Sequence, residues 1–216
     1  MGNVFVSFQW SDLAYMGEAA LRTLAISLIA IGAGTTMGIV FGWALYAGRW
    51  LAAPLALILD GFRSVPLIIQ LILFFNFFPI LGFPLDPFQA GSVVLSVYTA
   101  ALVANVVLGG IKAVPMPMRR AARSLGMSYW HDMMYVVWPI GLRAVFPAWV
   151  GVALSVVKDS ALVSALGYVE LLRASQQLVT RTQEPFIVFG IAGAFYFALS
   201  YPMSRLASHI ERKWQS

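Results

Sequence analysis

The chain of 216 residues contains no cysteine, and only 11% of it is charged. The first absence excludes disulfides, thiolate metal sites and cysteine nucleophiles, and it leaves the redox compartment open. The second lies far below the roughly 25% of an ordinary soluble domain. Catalytic signatures are missing too: there is no HExxH pair and no GxSxG elbow. The Gly-rich stretch GAGTTMG at Gly32 to Gly38 lacks the lysine of a phosphate loop, so the chain has no means of hydrolysing ATP by itself. The two histidines, His131 and His209, are far apart, and each lies in a polar or interfacial stretch. No runs of about ten residues alternate apolar with polar, which argues against a transmembrane barrel. No internal repeat is visible, which counts against a secondary transporter. No basic segment precedes the first apolar stretch, where Asp12 and Glu18 lie instead, so a cleavable signal peptide is not expected.

What remains is oil. Hydrophobic residues make up 60% of the chain, its mean hydropathy is +0.81, and several apolar runs reach the roughly 20 residues that cross a bilayer. The expectation is an all-α, polytopic membrane protein of about five transmembrane helices. An interfacial lead-in over residues 1–16, with Trp10 and Tyr15 at the membrane surface, precedes a membrane domain over 17–213. The spans read as 17–47, 55–78, 91–111, 133–157 and 185–206, the fourth kinked or broken by Pro139 and Pro147. A surface helix is expected over 169–179. Along the first span Gly34, Gly38 and Gly42 recur every fourth residue, a face that permits close helix contact.

The formal net charge of +5 has no aromatic interleaving to suggest nucleic acid, and basic residues of a membrane protein mark its cytoplasmic loops. Loops after spans one, three and five hold Arg49; Lys112, Arg119, Arg120 and Arg123; and Arg212 and Lys213. The other side holds Lys158, Arg173 and Arg181, offset by Asp159, Glu170 and Glu184. The N-terminus is therefore expected outside and the C-terminus in the cytoplasm.

Polar groups inside spans are costly and mark function or helix contact. Asp60 and Arg63 share a helix face, as an ion pair. Gln70, one to two turns deeper, is a candidate for lining a pathway. Asn105 sits deep in the third span, as helix glue or a substrate contact. Lys158-Asp159-Ser160 closes the fourth span, either as an interfacial ion pair or with Asp159 receiving a cationic group such as an ammonium. The candidate substrate-binding set is Gln70, Asn105, Asp159 and Ser160.

The segment 112–132 is the one long polar stretch. Ala121, Ala122 and Gly126 offer a small-residue surface amid charge, on a short helix expected over 121–127. A docking surface for another protein is expected at Arg120, Ala121, Ala122, Ser124, Gly126 and Met127.

The Ala121-Ala122-(x)3-Gly126 spacing, followed by an apolar stretch and Pro139, resembles the EAA loop of ABC importer permeases. Four further segments resemble the polar amino acid permease family. They are Arg63-Ser64-Val65-Pro66-Leu67-Ile68-Ile69-Gln70, Gly109-Gly110-Ile111-Lys112-Ala113-Val114-Pro115, Lys158-Asp159-Ser160-Ala161-Leu162 and Glu184-Pro185-Phe186. Their order also matches, and the resemblance covers about residues 17–213. It implies a type I ABC importer permease in the bacterial cytoplasmic (inner) membrane, paired with a second permease subunit. It also implies two ATPase subunits that bind the ATP and a soluble substrate-binding protein outside, with no cofactor in this chain. Two departures stand out: Arg120 replaces the leading Glu of the loop, and Asn105 replaces the Glu usual in the third span. The alternatives are a secondary transporter or channel working without an ATPase, and a membrane anchor with no pathway of its own.

Overall fold

Two helices set the frame. In the computed structural model, which describes residues 7–48 and 50–215, α1 (Trp10–Ala47) and α4 (Pro87–Ala113) lie side by side along most of their length. A Cβ added to Gly34, Gly38 or Gly42 would sit 2.5–2.6 Å from the Cβ of Thr99, Val103 or Val107 respectively. Each partner lies 65 positions further along the chain, so the two helices run parallel. Only glycine allows the backbones this approach.

Parallel α1 and α4 oblige the chain between them to recross the membrane once. That stretch is α2 (Ala52–Ser64) and α3 (Leu67–Ile80), bent by 103° at their junction. A continuous second span over 55–78 is therefore incorrect. Pro66 has no N–H to donate and forces Val65 into an extended conformation (φ −86°, ψ 130°), which ends α2. Among the described residues four helices are long and apolar enough to cross a membrane, and five segments are if the bent pair counts as one span.

The chain then continues through α5 (Met116–Ser124), α6 (Tyr129–Asp132), a π turn (Met133–Val137), α7 (Trp138–Asp159) and a 3₁₀ segment (Ser160–Leu166). It ends with α8 (Leu171–Thr182) and α9 (Pro185–Gln215). Helix runs unbroken from Tyr129 to Leu166, contrary to the expected interruption. Pro139 stands in the first turn of α7, and the carbonyl its ring would strike, that of Tyr135, lies in the wider π turn. Where α7 crosses α4 the backbones touch: a Cβ on Gly141 would lie 2.7 Å from the Gly110 carbonyl oxygen.

Within the expected interfacial lead-in over residues 1–16, helix begins at Trp10, where Asp12 accepts the Gln9 N–H at 2.8 Å and pairs with Arg181 of α8. That distant cation neutralises the buried carboxylate. Residues 1–6 and Arg49 lie outside the described residues. α8 begins two residues later and ends three later than the surface helix expected there. It buries Leu171, Ala174, Ser175 and Leu178 against α1 and α9. Its N-cap Glu170 is fully buried and accepts from the Leu172 and Arg173 N–H groups (both 2.8 Å) and the Tyr196 hydroxyl (3.1 Å). Burial pushes its carboxyl above the usual carboxylate range, and those donors oppose the shift.

Gly38→Leu should lower the stability of the purified protein by about 1–3 kcal/mol through overpacking at Val103, measured by thermal unfolding in detergent. Gly32→Leu, where a Cβ meets nothing within 4 Å, is the control and should leave the midpoint unchanged. Equal midpoints for both variants would remove the seam from its structural role.

Candidate functional site

The polar segment after α4 folds around one buried ion pair. Arg119 of α5 is 4% exposed and Asp132 of α6 fully buried. The Arg119 guanidinium donates to Asp132 Oδ2 through Nε (3.0 Å) and Nη2 (2.7 Å). Its third nitrogen, Nη1, donates to the Tyr46 hydroxyl at the end of α1, and the guanidinium carbon lies 5.4 Å from that ring's centre. Hydrogen bonds to both partners hold the arginine charged against the burial that opposes it. Arg123 adds a looser contact to the same carboxylate at 3.8 Å.

This pair turns one face of α5 inward, with Ala122 buried beside it, and leaves Arg120, Ala121, Ser124, Leu125 and Met127 exposed. The expected helix over 121–127 is displaced: it begins at Met116 and stops at Ser124. Gly126 is exposed and is the residue that ends the helix. With φ at 85° it occupies the left-handed region, and its N–H bonds to the Arg123 carbonyl (3.0 Å) while that of Met127 reaches the Ala122 carbonyl (3.2 Å). This is the double bond of a Schellman cap. Ser128 then caps α6, its hydroxyl 2.7 Å from His131 Nδ1. The exposed surface carries Lys112, Arg120 and Arg123 and no carboxylate, since Asp132 is buried.

The four candidate substrate residues do not converge. Gln70 is buried, and its amide nitrogen donates to the Phe62 (2.6 Å) and Val65 (2.7 Å) carbonyls. Both donors are thus spent on the carbonyls that α2 leaves open at the break, so Gln70 clasps the bend, while its Oε1 has no hydrogen-bond partner among the described residues. Ser160 is fully buried and donates to the Val157 carbonyl at 2.8 Å. Asn105 donates to the Ala101 carbonyl at 3.1 Å and borders a crevice of about 300 Å³ with Leu45, Ala56, Leu59 and Asp60.

Asp159 is half-buried, accepts the Ser155 hydroxyl at 3.0 Å, and forms no ion pair with Lys158. Tyr98 of α4 packs against the apolar cluster that holds Val156 and Val157, the residues just before this end of α7. Arg63 pairs with Asp60 at 3.0 Å, as expected from their spacing, and stays 40% exposed at the end of α2. Asn105 lies seven residues from Tyr98, roughly 10 Å along α4 at 1.5 Å per residue. Tyr98 escapes a reading of the sequence because it sits within an apolar run; its one signal is an aromatic hydroxyl two helical turns from Asn105.

These features have counterparts in known proteins. A family model described as binding-protein-dependent transport system inner membrane component matches residues 34–216. The chain is 26% identical over 207 residues to the glutamine transport system permease protein GlnP of Escherichia coli (strain K12), covering 94% of each. It is 30% identical over 208 residues to the arginine transport system permease protein ArtQ of Bacillus subtilis (strain 168), covering 91% of this chain and 92% of that one. Among solved structures it resembles an amino acid ABC transporter crystallised with histidines, at 27% identity and a TM-score of 0.85, over 96% of this chain and 100% of the other. In fold it also matches the MetNI methionine ABC transporter in inward-facing conformations, at 23% identity and a TM-score of 0.84. The fold is thus shared with these permeases, and the chain belongs to the binding-protein-dependent transport system inner membrane component family, as a membrane-embedded permease subunit of an ABC importer.

Proposed function

We propose that this subunit carries an amino acid or a close analogue across the bacterial cytoplasmic membrane, with its N-terminus outside and α5 in the cytoplasm. ATP is bound and hydrolysed by separate ATPase subunits. A second permease subunit, identical or paralogous, completes the pathway, and a soluble binding protein delivers the solute. The observation that carries this reading is α5: a helix fixed from within by a buried ion pair, presenting basic residues and Ala121 outward. Its docking face is Arg120, Ala121, Ser124, Leu125 and Met127. Ala122 and Gly126 shape that face without belonging to it. Because no carboxylate is exposed there, the receiving groove of the ATPase carries acidic groups opposite Arg120.

The solute site lies around Asp159, Tyr98 and Arg63. An amino acid zwitterion needs an acceptor for its ammonium and a donor for its carboxylate, and Asp159 with Arg63 supplies one of each. Asp60 holds the Arg63 fork until a carboxylate replaces it, and the Tyr98 hydroxyl serves either end. Gln70 and Ser160 act by holding the shape of this region, and Asn105 lies in the separate crevice near Asp60.

Arg120→Glu should weaken co-purification of the ATPase about ten-fold at low salt, the effect shrinking as salt rises, as for other charges at an interface rim. Undiminished recovery of the ATPase would sink the docking assignment. Transport by the permease alone, without any ATPase, would instead establish the secondary-transporter alternative.

Asp159→Asn should cost about 1.5–3 kcal/mol of solute binding, the scale of a hydrogen bond to a charged group, or roughly a ten- to hundred-fold loss of affinity. Solute-stimulated uptake and ATPase activity of the reconstituted complex read this directly. Ser160→Ala should leave the solute dependence unchanged. An assembled Asp159→Asn complex with unaltered solute dependence would exclude Asp159 from the site.

A further inference from the structure

The crevice beside Asp60 has a chemistry of its own. It lies between α1, α2 and α4, and Ala53, Ala56, Leu59 and Leu108 form its walls together with Asp60 and Asn105. Alanines on α2, where larger side chains would fill the gap, leave a volume of about 300 Å³. That is the lower end of the range of small-molecule sites. Asn105 and Leu108 both follow Tyr98 on α4, so the crevice lies nearer the α5 end of the bundle than Tyr98 does.

Both polar walls keep an acceptor in reserve. The Asn105 amide nitrogen is turned back onto the Ala101 carbonyl at 3.1 Å, so Oδ1 is the end of that amide without a hydrogen bond. Asp60 gives Oδ1 to Arg63 Nη1 at 3.0 Å, and its Oδ2 has no partner among the described residues. Arg63 itself is not in the wall, and among the described residues no lysine, arginine or histidine lines the crevice. One carboxylate oxygen and one amide oxygen amid alkyl groups suit a small cation that brings N–H donors and an apolar body. A carboxylate would instead meet Asp60 as a like charge.

We infer that this crevice is a second, inner station on the solute pathway, where Asp60 Oδ2 and Asn105 Oδ1 receive the ammonium group of the solute after it leaves Asp159. The inference rests on the amino acid reading above. Once a solute carboxylate draws the Arg63 fork away, Asp60 is left with an uncompensated charge, and the ammonium entering the crevice restores the balance. Asn105, a neutral group, limits the station to a single cationic group.

Because the chain lacks cysteine, Ala53→Cys places one thiol in the exposed part of the wall. The test uses the purified complex with its ATPase, treated with either aminoethyl or sulfonatoethyl methanethiosulfonate, with modification of this chain followed by mass spectrometry. Relative to free cysteine, the cationic reagent should be favoured about ten-fold, the low end of the enrichment reached in a cleft of one sign. Adding Asp60→Asn should abolish that preference. Adding Arg63→Gln instead should enlarge it, since the competing cation is gone. An equimolar mixture of the twenty protein amino acids should slow modification by both reagents. The inference is overturned by a thiol that reacts with neither reagent, by equal relative rates, or by a preference that survives Asp60→Asn. It is also overturned if the mixture gives no protection in a complex that takes up amino acids. A complex that takes up none of the mixture refutes the amino acid reading and the inner station with it, while the reagent preference, measured without solute, reports separately on the crevice as a cation site.

Discussion

The approach of α1 to α4 is the constraint on which the rest depends. Three glycines at four-residue spacing let two parallel helices meet backbone to side chain, against Thr99, Val103 and Val107. Apolar burial drives little association inside a bilayer, so such close contact is where the cohesion of the domain originates. Its parallel sense has a topological result. The chain must return between the two helices, and the return is made by a span broken at Pro66. The bend and the clasp that Gln70 places on it both descend from that requirement.

At the α5 end the organising element is electrostatic. A buried arginine–carboxylate pair is a poor source of net stability, because desolvation offsets much of its attraction. Its value here lies in position. Arg119 has three directed contacts on two other elements, one to Tyr46 on α1 and two to Asp132 on α6, and these fix which face of α5 is turned outward. The outward face is then basic because the only nearby acid is consumed inside.

Much of the fold was legible in the sequence. The glycine face, the apolar spans and the polar segment after α4 were visible in pattern alone, because period and composition are local properties. What was hidden depended on partners far apart in the chain. The partner of Asp12, Arg181, lies 169 residues away. Arg119 reads in the sequence only as one of the loop cations, and its partner Asp132 goes unremarked there. Gln70 looked available as a donor because Pro66 sits in a run apolar enough to read as continuous helix, and only the broken helix creates the carbonyls that occupy it. Gly126 carries a second duty that its spacing did not reveal: a small residue suits a packing surface and a left-handed turn equally well, and only its φ discloses the turn. Of the solute candidates, Asp159 accepts the Ser155 hydroxyl, whereas Gln70 and Ser160 donate to backbone carbonyls.

The fork of Arg119 also decides how α5 behaves under load. A helix carried between two loops would give way under force, bending locally and dissipating the work done on it. Here one rigid foot is fastened to the end of the first span through Tyr46, and through Asp132 to the helix that runs on into the fourth. A push on the foot is therefore shared by two spans at once, and those spans are themselves joined by the hydrogen bond from the Trp149 indole to Thr35. Concerted displacement of the two, rather than flexing of a tether, is the motion such fastening transmits.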